Sequence, residues 1–243
     1  MADHLNYDDL ADKYGLDPVP ASVMRLTQLV ARQDADLDLI AKVIAQDQSL
    51  TQRLLRAANP RARSDEEFAI TTVEDALMRT GMGCVLLLAM GTPLTMALAR
   101  TFQTMLGVKL ESVHPKAVTQ FPGVHLLGTI GFSGKAEGRV YLRLSPDGAK
   151  RIAASVLGMK PEELTDISEI NDSVGELLNI VTGNFKSNLC DAGLDCRLTT
   201  PQVGRTDSFD VPTVPGGGLE RMAFRAPQIT LFVDVTVNPW SDD

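Results

Sequence analysis

Cysteine, histidine, tryptophan and basic residues are all scarce in this chain of 243 residues, and each scarcity removes a class of function. Lys and Arg number 23 against 31 Asp and Glu, a formal net charge of -8, so no surface that displaces counterions from nucleic-acid phosphates is expected. The three cysteines, Cys84, Cys190 and Cys196, are too few and too irregularly spaced for a disulfide framework, and they read as buried free thiols. The three histidines, His4, His114 and His125, share no metal-ligand spacing with each other or with a Cys. They are expected to be ordinary surface or core residues, with no metal site and no Cys–His nucleophile. The opening residues, Met1 to Asp9, lack the basic and apolar regions of a secretion signal, so the chain reads as cytoplasmic.

What is present is apolar material in quantity. Hydrophobic residues make up 44% of the chain, enough for one large or two modest cores. Thr80 to Ala99 runs 20 residues without a charge, but it contains three glycines and Pro93. Thr92 as N-cap with Pro93 in the first helical position divides this run into two soluble helices better than it builds one membrane span. Upstream, residues 21–32, 36–45 and 49–58 each place apolar side chains at helical spacing (Val23, Leu26, Leu29 and Val30 in the first), with Asn59-Pro60 as a stop. Residues 1–91 thus read as a small helical module, and 92–243 as a second domain.

From Pro93 onward the period changes. A helix to about Leu106 is followed by a loop with Pro115 and Pro122, then by alternation through Val124, Leu126, Gly128, Ile130 and Phe132 and again through Val140, Leu142 and Leu144. Ser145-Pro146 opens a helix to about Leu157, and a long helix begins near Ile167. Strands are expected near 196–200, 222–225 and 229–237, the last long and β-branched enough to need a partner if it lay at an edge. Helix, strands, helices and strands again suggest two copies of an α-β-β unit, an α+β domain with helices against an antiparallel sheet. The Gly216-Gly-Gly218 run has no strand leading into it and no helix behind it, so it reads as a strand connection and not a phosphate loop.

The long helix carries the most specific signal. Asp172, Glu176, Asn179 and Gly183 fall at steps of four, three and four, one row along a helix, while Ile170, Val174, Leu177, Leu178, Val181, Phe185 and Leu189 form a stripe on the other side. Asn and Gly each cost about 0.5–1 kcal/mol against Ala in a helix interior, so helix stability alone does not account for this surface.

These residues resemble the signature of the CheX/CheC/FliY phosphatases: an Asp or Ser, three residues, a Glu, two residues, an Asn and a later Pro, here Asp172, Glu176, Asn179 and Pro201. The spacer before the Pro is 21 residues, one fewer than in most members. Gly128 to Gly134, Gly138 to Leu142 and Ile229 to Val237 extend the resemblance over residues 93–238. It implies hydrolysis of the phospho-aspartate of a CheY-like receiver, with Asn179 aligning the attacking water, Glu176 pairing with a receiver Lys, and Asp172, Gly183 and Pro201 contacting the partner. It also implies a homodimer, and a Mg²⁺ ion carried by the receiver, with no cofactor bound by this chain. Ala97 and Arg100 occupy the matching places in the first repeat, so one site per chain is expected. Residues 1–91 resemble the first half of an HDOD domain, through Asp17-Pro-Val-Pro20, Ile44 to Asp47, Leu50 to Asn59 and Ile70 to Gly81. Gln48 stands where that family usually has Pro. A second reading stays open, in which the same surfaces make a non-catalytic adaptor that only binds a receiver.

Overall fold

The computed structural model describes residues 19–32, 36–59, 69–215 and 217–238. His4, Asp17, Pro18, Pro60 and Gly216, named above, lie outside them. Three short helices come first: α1 (Ala21–Val30), α2 (Leu37–Ala45) and α3 (Gln48–Ala58). Two of them start on aspartate caps. Asp36 accepts from the amides of Asp38 and Leu39, and Asp47 from those of Ser49 and Leu50, which satisfies donors that the first turn leaves free. Asp47 also accepts from the Ser22 hydroxyl on α1, and that bond, with the capping amides, holds its carboxyl below the ordinary range.

The fourth helix, α4 (Val73–Leu106), corrects the expected split. Thr92 and Pro93 lie inside it, and the single non-helical residue is Gly81, at φ 71 and ψ 179. Such a backbone is open only to glycine, so the break falls there. Pro93 withholds the amide that Ala89 would have used, and Arg53 on α3 donates to the neighbouring carbonyls of Leu87 and Leu88. The expected boundary at 91/92 falls within this helix. By length and composition α4 could cross a membrane, but 67% of its most apolar window is buried inside the fold.

After α4 come β1 (Glu111–Val113), a 3-10 turn (Pro115–Ala117), β2 (His125–Gly134), β3 (Gly138–Leu144), α5 (Pro146–Leu157), α6 (Ile167–Asp191), β4 (Cys196–Leu198), β5 (Gln202–Thr206), β6 (Gly218–Ala226) and β7 (Ile229–Val237). All pairings are antiparallel, in the order β1-β6-β7-β3-β2, with β4 and β5 both on the outer side of β2. The architecture is α+β, as the alternation implied. β7 is interior, flanked by β6 and β3. The need for a partner chain, which held only if this strand lay at an edge, therefore does not arise, and a dimer held by that edge loses its argument.

The repeat is visible in the sheet. Hairpins β2–β3 and β6–β7 meet at β3–β7, and the short strand after each long helix pairs with the other repeat's hairpin: β1 with β6, β4 and β5 with β2. Helices α4, α5 and α6 cover one face, where Leu126, Ile130, Phe132, Val140, Leu142, Leu144, Leu231, Val233, Val235 and Phe224 are buried. The opposite face is covered by the segments around Phe121 and Phe209, whose rings pack on each other, on His125 and on Phe232. Beneath them Asp234 is fully buried between Arg143 and Arg221, and both guanidiniums also donate to backbone carbonyls of Phe209 and Asp210. These bonds fasten the loop to the sheet.

Candidate functional site

Helix α6 begins at Asp166, whose side chain accepts from the Ser168 amide. Its apolar stripe faces the sheet: Ile170, Val174, Leu177, Leu178, Val181, Phe185 and Leu189 are all buried. Contacts fix its course along β2. The Leu178 side chain lies over Gly128, where a Cβ would meet it at 3.1 Å, and the rings of Phe185 and Phe132 are 5.9 Å apart, edge to face. At its far end Cys190 lies beside Cys196 on β4. Burial pushes the Cys196 thiol up to about 11, so it is an inert core thiol as expected.

With the stripe buried, the row must face out. Asp172, Glu176 and Asn179 are exposed and Gly183 is half-buried, with nothing within 4 Å of where its Cβ would be. Among the described residues the side chains of Asp172, Glu176 and Asn179 have no hydrogen-bond or ion-pair partner, so carboxylate and carboxamide are free for another molecule. Residues three apart on a helix are neighbours, which places Glu176 and Asn179 within reach of a single incoming group.

Pro201 belongs to the same region. It is half-buried in the link between β4 and β5, and its neighbours pin it to β2: the Gly131 amide donates to the Thr199 hydroxyl, and Gln202 pairs with Thr129. Val203 lies 3.5 Å from a Cβ built on Gly175. Since α6 runs along β2 from Gly128 to Gly134, Pro201 flanks the stretch of α6 that holds Asn179 and Gly183. The first repeat offers no second row, because Ala97 is buried and Arg100 is already engaged. The described residues contain no cluster of His, Cys, Asp and Glu able to hold a metal ion.

Sequence reasoning missed two features near these elements. One is β5, a strand that reads as loop but walls the site. The other is Arg53, which reaches out of the helical module so that its Nη2 donates to both carboxylate oxygens of Glu220 on β6, at 2.8 and 2.9 Å. Gly91 on α4 makes room for that pair, since a Cβ there would come within 2.3 Å of Arg53 and 2.4 Å of Glu220.

Fold and site together define a CheX-like α+β domain with HDOD-like helices ahead of it. Residues 126–218 match the family described as chemotaxis phosphatase CheX, and residues 16–119 match the HDOD domain. Among solved structures the chain is similar to chemotaxis protein CheX from Vibrio vulnificus, 26% identical over 60% of this chain and 94% of that one, with a TM-score of 0.51. It is also similar to a CheC-like superfamily protein from Shewanella sp. PV-4, 25% identical over 60% of this chain and 95% of that one, with a TM-score of 0.51. A chemotaxis protein CheX from Desulfovibrio desulfuricans shares the fold at 20% identity, over 61% of this chain and 99% of that one, with a TM-score of 0.52. Comparison with curated proteins gives no match.

Proposed function

We propose that this protein hydrolyses the phospho-aspartate of a CheY-like receiver in chemotaxis or a related two-component pathway of the cytoplasm. The observation that carries this reading is the exposed, unengaged Glu176–Asn179 pair on α6, set in a region similar to chemotaxis phosphatases. Hydrolysis of an acyl phosphate needs a water held in line with the leaving carboxylate, and little covalent chemistry besides. A carboxamide suits that task because it offers one water both a donor and an acceptor. Asn179 therefore orients the water and Glu176 pairs with a receiver Lys, fixing how the two proteins dock. Mg²⁺ on the receiver supplies charge stabilisation at the phosphoryl group. Asp172, Gly183 and Pro201 border the contact, with open space at Gly183 admitting the partner's backbone.

The test follows the decay of phosphorylated candidate receivers with and without the protein. Removing one preorganised hydrogen-bonding group commonly costs about 10²–10³ in rate, so Asn179→Ala should nearly abolish the acceleration while receiver binding persists. Glu176→Ala should weaken docking as well as rate, because the receiver cation loses its partner. Unchanged decay with Asn179→Ala would leave α6 as a docking surface only and make the protein an adaptor.

A further inference from the structure

A cleft of about 700 Å³ lies between the helical module and the sheet, walled by α3, the middle of α4, the 3-10 turn after β1 and the start of β6. None of the α6 row lines it. Its charge among the described residues is opposite to that of the molecule: Arg53, Arg56, Lys116 and Arg221 line it together with His114, and Glu220 is the one carboxylate among them. Two of these cations are already matched, Arg53 by Glu220 and Arg221 by Asp234. Lys116 has no partner among the described residues, and Arg56 spends only its Nε, on the Gln52 carbonyl. Two positive charges therefore face the cleft with no counter-charge among the described residues.

His114 adds a donor of fixed direction. Its Nδ1 accepts from the Lys116 amide at 3.1 Å, so the neutral ring carries its proton on Nε2. Part of the wall is apolar, with Leu87, Leu88, Val113 and the exposed Leu219, beside the hydroxyls of Ser49, Thr92, Thr95 and Ser112. The volume lies in the range of small-molecule sites, and cations beside an apolar wall at a junction between structural units suit a ligand with one anionic and one flat apolar end.

We infer that this cleft binds a small phosphorylated ligand of mononucleotide size, with the phosphate held by Arg56, Lys116 and His114 Nε2 and the apolar ring system laid against Leu219 and Leu88. The site is separate from the phosphatase reading and stands whether or not that reading holds.

Calorimetric titration of the full chain with AMP, with inorganic pyrophosphate and with adenosine tests this. AMP should bind, pyrophosphate more weakly, and adenosine not measurably. Arg56→Ala and Lys116→Ala should each weaken AMP binding about tenfold, since each removes a charge-assisted hydrogen bond, and added salt should weaken it further. Both side chains are exposed, so both variants should fold, which circular dichroism verifies. Absence of AMP binding up to millimolar concentration, equal binding of adenosine and AMP, or an Arg56→Ala/Lys116→Ala double variant that binds AMP normally would each overturn the assignment. Pyrophosphate binding as tight as AMP would overturn its apolar half.

Discussion

His125 shows how a single residue can be half legible. Its place on the polar-facing side of a strand follows from alternation with Leu126, yet nothing in the sequence says that this side is also buried. In the fold its ring packs 4.5 Å from that of Phe209, its Nδ1 lies 3.3 Å from the Gly123 carbonyl, and its Nε2 is buried with no partner among the described residues. Burial is the main cause that holds it below the ordinary imidazole value of 6.5; Arg143 pushes the same way and Asp207 opposes. The unfolded chain therefore takes up this proton first, so the contribution to stability is complete above about pH 6.5 and is lost as pH falls toward the folded-state value. His125→Phe should flatten the stability profile on the acid side of about pH 6.5, without loss at neutral pH because the orphaned Nε2 goes too. Urea denaturation at several pH values checks this, and an unchanged slope would count against it. Arg143 and Asp234 were equally hidden, because a charged residue within an apolar strand reads as a face change until its partner across the sheet is known.

Among the elements, strong periodicity was readable and short pairing only in part. β2, β3, β7 and α6 follow from spacing, because each has enough residues for a period of two or 3.6 to stand out. β4 was expected near 196–200 and is found there, but β1 and β5, of three and five residues, were not, and only the hairpins beside them make them strands. The Thr92-Pro93 signal failed for a related reason: tertiary packing keeps α4 helical through Pro93, while the kink goes to Gly81. Of the exposed row, the helical phase was legible and the wall beside it was not, since Pro201 joins α6 only through β5. Gly138 illustrates close packing between elements. A Cβ there would sit 2.0 Å from the Thr236 carbonyl oxygen and 2.6 Å from the Phe132 ring, so β3 must shift against β7 to accept one. Gly138→Ala should lower stability by about 1–3 kcal/mol, read from the urea midpoint. A midpoint within error of the parent would mean that the central pairing is looser than the fold implies.

For the whole molecule, the division into a helical module and a sheet domain describes the sequence better than the packing. α4 packs on α1 and α3 and, through Leu87 and Gly83, on Gly218 of β6, and one continuous apolar core runs from Val23 to Val237. Arg53 and Glu220 add a charged tie across the same junction. Heat should therefore unfold the protein in one transition, with calorimetric and van't Hoff enthalpies in agreement. Two resolved transitions would mean that the helical part melts on its own. Neither family resemblance alone suggested this coupling, because each covers one side of a helix that serves both.

The exchange of short strands between the repeats has a consequence for how the chain is made. β7 sits at the middle of the sheet yet follows every other strand in sequence, so during synthesis β6 and β3 have no neighbour between them until residues 229–237 leave the ribosome. Until then the β2–β3 hairpin and β6 wait with open inner edges, bearing Val, Leu and Phe side chains that the finished protein hides. A stalled or prematurely terminated product thus exposes the inner edges of both β3 and β6, and the cell's quality control should treat any chain ending before Ile229 as a substrate.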